Sequence, residues 1–253
     1  MPLYSCEGVV LRAERIEESD RLVHFFTDRF GRVRARVRGV TRMRSRYGSI
    51  AEPFSHDDLS LYLKREDRAV YSLTRAGLID SHERLRGELP RYYAASFVVE
   101  MVDRCTQDGD PHYDLWLLLL ETLDCLERTK HLASVLLAFQ LKAFHSLGVG
   151  LDLGRCMVTG EAPPAEPVAL SVSLGGVLGA GCHGQDASAE KLSPALYRLL
   201  CQAAELPMAK AAELDCPAPQ WLEALRILRS FWATHLDFEP KSLNFIQSEI
   251  VEE

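Results

Sequence analysis

Eight arginines in eighteen residues, Arg29, Arg32, Arg34, Arg36, Arg38, Arg42, Arg44 and Arg46, are the side chains of this sequence best suited to a definite chemistry, and Asp28 is the only acid adjoining them. A guanidinium is always charged and presents a planar fork of donors that fits a phosphate edge. A one-sign arginine cluster is therefore the electrostatic footprint expected of a nucleic-acid contact. Within the run, Val33, Ala35 and Val37 alternate with Arg32, Arg34, Arg36 and Arg38. The period of two in a strand puts the apolar set on one face and a ladder of guanidinium groups on the other. The plainer alternative is a solvated strand face, although such faces ordinarily mix signs. Tyr47, with Tyr62 and Tyr71 in neighbouring segments, could stack on bases, which is worth about 1–3 kcal/mol per base in such sites. Each of these tyrosines serves equally well as packing.

The elements that must position these residues are short strands. Residues 8–11, 21–26, 31–39, 59–63 and 69–73 are β-rich runs bounded by charged or glycine-containing turns. Five strands in about eighty residues, one with a basic face, predict an OB-fold, a partly open five-stranded Greek-key barrel that commonly binds single strands. After Asp80 the pattern turns helical. Tyr93, Phe97, Met101 and Cys105 share one helical face, Pro111 opens a second helix with the stripe Leu115, Leu118, Leu119, Leu123 and Leu126, and Leu132, Leu136, Phe139 and Ala143 mark a third. These three read as a bundle. Proline and glycine then break the pattern, and Val168, Leu170, Val172 and Leu174 alternate as a strand would, before helices resume over 195–205 and 218–236. The expected fold is α+β: residues 1–80 form the nucleic-acid-binding barrel, and 81–253 form a helical domain interrupted at 154–190 by a small β-hairpin insert.

Composition agrees with a globular chain and excludes several classes. The 253 residues are 47% hydrophobic and 26% charged, and the net charge of −7 divides into +3 over residues 1–80 and −10 over the rest. A basic part on an acidic chain again points to a polyanion on the basic side. The longest uninterrupted apolar stretch, Leu115 to Leu120, is far below the roughly 18 residues that span a bilayer, so no membrane association is expected. With no secretory pattern and seven scattered cysteines, a reducing, cytoplasmic setting is expected.

The search for catalysis is negative. No phosphate-loop, nucleophile-elbow or H-E-x-x-H signature occurs. Residues 179–184 match G-x-G-x-x-G, but in a proline- and glycine-rich insert without a βαβ unit. Asp57 and Asp58 are adjacent, so on a strand they face opposite ways, and a solvated edge or turn is the reading for the pair. The histidines are scattered singly. Glu100, Asp103 and Arg104 read as ordinary helix-surface ion-pairing groups. No enzyme activity, cofactor or metal is expected. The competing functional readings are a helical interaction scaffold whose basic barrel meets an acidic protein, and a nuclease or deaminase, which needs a metal-ligand cluster that the sequence does not display.

Several short segments, in order along almost the whole chain, resemble the RecO family of recombination mediators. They include Glu7-Gly8-Val9-Val10-Leu11, Glu18-Ser19-Asp20-Arg21-Leu22, Phe26-Thr27, Gly39, Arg44-Ser45-Arg46, Leu73-Thr74, Tyr93 through Glu100 to Asp103-Arg104, Leu147-Gly148, Gly175-Gly176 and Pro240-Lys241-Ser242-Leu243. The resemblance implies an OB-fold, a helical domain and a zinc-ribbon-like insert. It also implies a mediator that binds single- and double-stranded DNA, anneals strands coated with single-strand-binding protein and, with RecR, helps load RecA, acting in the cytoplasm at the nucleoid. The DNA-contacting set is then Arg32, Arg34, Arg36, Arg38, Arg42, Arg44, Arg46 and Tyr47. The acidic tail of single-strand-binding protein is expected beside Arg128, Lys130 and Lys142. The family's insert carries C-x-x-C-G and G-G-x-x-C-x-x-C, whereas here Cys156 and Cys182 remain and Thr159 and Gly179 occupy the other two positions. A structural zinc site wants four closed ligands, so Cys156 and Cys182 are expected to be a degenerate remnant without metal.

Overall fold

The computed structural model describes residues 3–40, 48–63, 70–162 and 168–249. Strands β1 (Leu3–Arg15), β2 (Arg21–Thr27), β3 (Gly31–Val37), β4 (His56–Tyr62) and β5 (Val70–Asp80) close into a barrel in the order β1-β2-β3-β5-β4. The β3–β5 pair is parallel, and every other neighbouring pair in the barrel is antiparallel. This is the OB-fold arrangement expected from the sequence. The interior holds Val10, Val23, Phe25, Val33, Ala35, Val37, Leu59 and Leu61, all buried.

Strands β1, β4 and β5 run further than the β-rich segments of the sequence suggest, because a closed barrel pairs even polar residues on both sides. Register shifts at Val10/Arg12, His56/Asp57 and Ser60/Leu61 let these long strands coil. One reading is corrected here. Asp57 and Asp58 do face opposite ways, but Asp57 is fully buried rather than solvated. It sits in β4 opposite Gly8, where its carboxylate accepts the Ser55 hydroxyl at 2.8 Å, while Asp58 is exposed.

Eight helices occur among the described residues: α1 (Glu83–Gly87), α2 (Leu89–Cys105), α3 (Tyr113–Arg128), α4 (Leu132–Ser146), α5 (Pro194–Glu205), α6 (Met208–Ala211), α7 (Ala218–His235) and α8 (Leu243–Glu249). The chain divides into two compact units between Glu127 and Arg128. In the first, α2 packs against β1, and Trp116 of α3 meets Phe26 and His56 with ring centroids 6.3 and 5.5 Å apart. The three helices read from sequence as one bundle are thus divided. The first two accompany the barrel, and α4 packs with α5, α6 and α7 in the second unit. Buried residues encircle α4, which makes it the centre of that unit. Its Phe144 lies 4.6 Å from both Phe231 and Trp232, and the Trp232 indole donates to Gln140 Oε1 at 3.1 Å.

The insert is a three-stranded sheet in the order β7-β6-β8, from β6 (Ala169–Ser171), β7 (Gly176–Leu178) and β8 (Glu190–Lys191). The predicted alternation through Leu174 ends at Ser171, because the chain turns there and Gly175 takes φ +75°, which side-chain-bearing residues seldom adopt. The G-x-G-x-x-G match coincides with a 3-10 segment at Ala180–Gln185. No described helix is long and apolar enough to cross a membrane.

Candidate nucleic-acid interface

Strand β3 alternates as its sequence dictates: Val33, Ala35 and Val37 point into the barrel, and Arg32, Arg34 and Arg36 stand on the outer face, each partly exposed. Register adds two residues to that face, since Arg12 of β1 is opposite His24 of β2, which is opposite Arg34. The guanidinium groups are met by carboxylates from elsewhere in the chain. Asp103, near the end of α2, accepts from Arg12 Nε at 2.8 Å and pairs with Arg32 at 3.2 Å. Asp108 lies 2.7 Å from Arg32 Nε and 3.0 Å from Arg34 Nε, the latter an ion contact without hydrogen-bond alignment. Arg36 is held by Asp20 at 2.7 Å and Glu17 at 2.6 Å.

Gly31 makes this arrangement possible. Its φ is +58°, and a Cβ there would stand 1.9 Å from the Asp110 carbonyl oxygen. The bare backbone lets the segment after α2 close on the start of β3, where Gly109 N–H donates to the Arg32 carbonyl at 3.1 Å. Asp108 is thereby delivered between Arg32 and Arg34.

The electrostatics follow from the pairing. Asp20 is held below the usual carboxylate range by the Gly39 N–H and by Arg36, and Arg36 is raised in turn chiefly by its hydrogen bond to Asp20. His24 is buried under the network, where desolvation first and then the Arg12 charge lower its pKa, so the ring is neutral among the arginines. Asp108 keeps 33% of its surface and meets Arg32 and Arg34 in solvent-screened pairs worth about 1 kcal/mol or less each, whereas Asp103 and Asp20 keep only 13% and 8% and hold Arg32 and Arg36 in largely buried pairs. A phosphate that accepts from two guanidinium nitrogens can exchange with the Asp108 carboxylate at little cost.

At one end of the barrel the register aligns Arg15, Arg21 and Val37, and the exposed Arg38 follows directly. This end therefore carries positive charge, and among the described residues no acidic side chain pairs with Arg38. Arg42, Arg44, Arg46 and Tyr47 lie outside the described residues. Tyr71 packs edge-on against Tyr4 with centroids 5.8 Å apart, as part of the barrel packing. Sequence reasoning missed Arg12, Asp20, Asp103 and Asp108. Asp103 has the local pattern of a helix-surface acid, and no local signal shows that a carboxylate 71 residues beyond Arg32 returns to pair with it.

The other expected site residues are dispersed. Arg128 ends α3, Lys130 precedes α4, and Lys142 lies ten residues into α4, about 15 Å along its axis from Leu132. Lys142 Nζ donates to the Ala204 carbonyl at 2.8 Å, capping the end of α5. In the insert, the Cys156 sulfur accepts from Gly179 N–H at 3.4 Å, and that bond with those of Thr159 and Val158 lowers the thiol to about 6. Cys182 packs beside it. Among the described residues no third ligand atom joins these two sulfurs, so the residues present do not fit a closed four-ligand zinc site.

Comparison with known proteins covers nearly the whole chain. The family model described as "Recombination protein O N terminal" matches residues 1–82, and that described as "Recombination protein O C terminal" matches 86–244. A protein of Frankia casuarinae named "DNA repair protein RecO" is 34% identical over 98% of this chain and 99% of its own length. Proteins of the same name from Desulforudis audaxviator and a Roseiflexus strain are 29% and 30% identical, covering 98% and 96% of this chain and 97% and 85% of their own lengths.

Proposed function

The chain belongs to the RecO family of DNA repair proteins, and from that premise we propose that its barrel binds DNA through phosphates. The carrying observation is the arginine-rich outer face of β3, continued by exposed Arg38. In this reading Arg32, Arg34, Arg36 and Arg38, with Arg42, Arg44, Arg46 and Tyr47 beyond them, line the path of a single or double strand. A surface that contacts phosphates positions a strand without reading its sequence. That is the property annealing requires, because two complementary strands must be held together while their base edges stay free to pair. The family resemblance extends the proposal to loading RecA with RecR, to the acidic tail of single-strand-binding protein at Arg128, Lys130 and Lys142, and to work in the cytoplasm at the nucleoid. For the tail, the capping bond of Lys142 and the length of α4 favour Arg128 and Lys130 as the closer pair.

One observation favours a second reading. The ladder already accepts carboxylates as partners, so an acidic protein segment could occupy the same face. Fluorescence polarisation of a labelled single-stranded oligonucleotide with the full chain separates the two. Saturable binding that tolerates changes of base sequence supports the DNA reading. Absence of binding to both single and double strands at low salt overturns it in favour of the scaffold.

A further inference from the structure

We propose that Asp80, His82 and Glu127 form a binding site for a divalent transition-metal ion, with Zn²⁺ as the best-matched probe. One ligand atom from each of the three lies within 4.8 Å of the other two. Asp80 ends β5, His82 caps α1, and Glu127 belongs to the last turn of α3, so the cluster joins the end of the barrel to a helix packed beside it.

The imidazole is the independent pointer. His82 is only 2% exposed, and its Nδ1 lies 3.0 Å from the Phe54 carbonyl oxygen, which can only accept, so Nδ1 carries the proton. Nε2 is left with its lone pair, buried and without a hydrogen-bond partner, 3.5 Å from Asp124 Oδ1. An imidazole whose Nδ1–H is fixed on a carbonyl and whose Nε2 lies unbonded 3.5 Å from the Asp124 carboxylate is the arrangement that orients a metal-ligating histidine. The backbone supports the same orientation: His82 takes φ +43°, and its N–H donates to Asp80 Oδ1 at 2.9 Å. In a tetrahedral zinc site neighbouring ligand atoms are about 3.3 Å apart, given metal–ligand bonds near 2 Å. The two carboxylates are on partly exposed side chains that can rotate to close that difference. One nitrogen and two carboxylate oxygens suit zinc and its neighbours better than magnesium or calcium, which prefer all-oxygen sites. Water or Asp124, whose carboxylate is one turn before Glu127, completes the shell.

The test uses the full-length, chelator-treated protein dialysed against Zn²⁺, with elemental analysis and a titration, alongside Glu127→Gln and Asp80→Asn. A Cys156→Ser/Cys182→Ser variant separates this site from the thiols of the insert, and Co²⁺ in place of Zn²⁺ reports thiolate ligation by its intense near-ultraviolet band. Expected are about one zinc per chain in the parent and in the cysteine variant, and no thiolate band. Each carboxylate variant should bind at least about tenfold more weakly, since even losing an outer-shell partner costs that much. Because His82 is buried and its replacement could unfold the chain, the two surface carboxylates carry the test. No bound zinc in the parent, zinc unaffected by both carboxylate variants, or zinc lost in the cysteine variant overturns the proposal.

Discussion

Asp57 is a carboxylic acid held far from its ordinary state. Burial raises its pKa from 3.8 to about 7, opposed only by the Ser55 hydrogen bond, and its Oδ1 has no hydrogen-bond partner. Between these two values the folded chain holds a proton that the unfolded chain releases, so stability falls as pH rises from about 4 to 7. Asp57→Asn preserves the size and cannot ionise. Its stability relative to the parent is therefore expected to climb across that window and level off above it, by about 1–4 kcal/mol. Urea denaturation at pH 5 and pH 8 checks this, and a difference between the two proteins that does not change with pH contradicts it. Such a residue is not legible in sequence. Two adjacent aspartates look like a solvated turn until barrel closure decides which of them faces inward. The same holds for Asp80 and His82, whose third partner, Glu127, is 45 residues away.

At the scale of elements, β3 was the most legible part of the chain, because its period of two is written directly in alternating valine, alanine and arginine. The partners of that ladder were not legible, since they arrive through tertiary contacts that local sequence does not encode. Two changes probe them. Gly31→Ala places a Cβ against the Asp110 carbonyl at a positive φ, so a loss of stability of about 2 kcal/mol or more is expected, read as a lowered thermal midpoint. An unchanged midpoint means that the segment after α2 is not locked on β3 as described. Asp108→Asn removes the charge shared by Arg32 and Arg34 while keeping the loop. If these arginines contact phosphate, this variant should bind single-stranded DNA more tightly, with a salt dependence steeper by up to about 0.7 in slope. Weaker binding, or an unchanged slope, places the phosphates elsewhere.

For the whole molecule, composition and hydrophobic period gave the right order of architectures, a barrel followed by helices with a β insert. They could not show where the compact units divide, because α2 and α3 have the apolar stripes of bundle helices and use them beside the barrel. Charge asymmetry was the broadest functional signal, and its meaning depends on whether the basic face acts as a polyelectrolyte contact or only as an ion-paired scaffold. The salt dependence of single-strand binding, measured for the parent and for Arg34→Ala/Arg36→Ala, addresses this directly. About four phosphates neutralised give log K against log salt a slope near −3, and the double variant, folded as judged by circular dichroism, should bind more weakly with a slope shallower by about 0.7 or more. Wild-type affinity and wild-type slope in the folded double variant would contradict the assignment of DNA binding to this face.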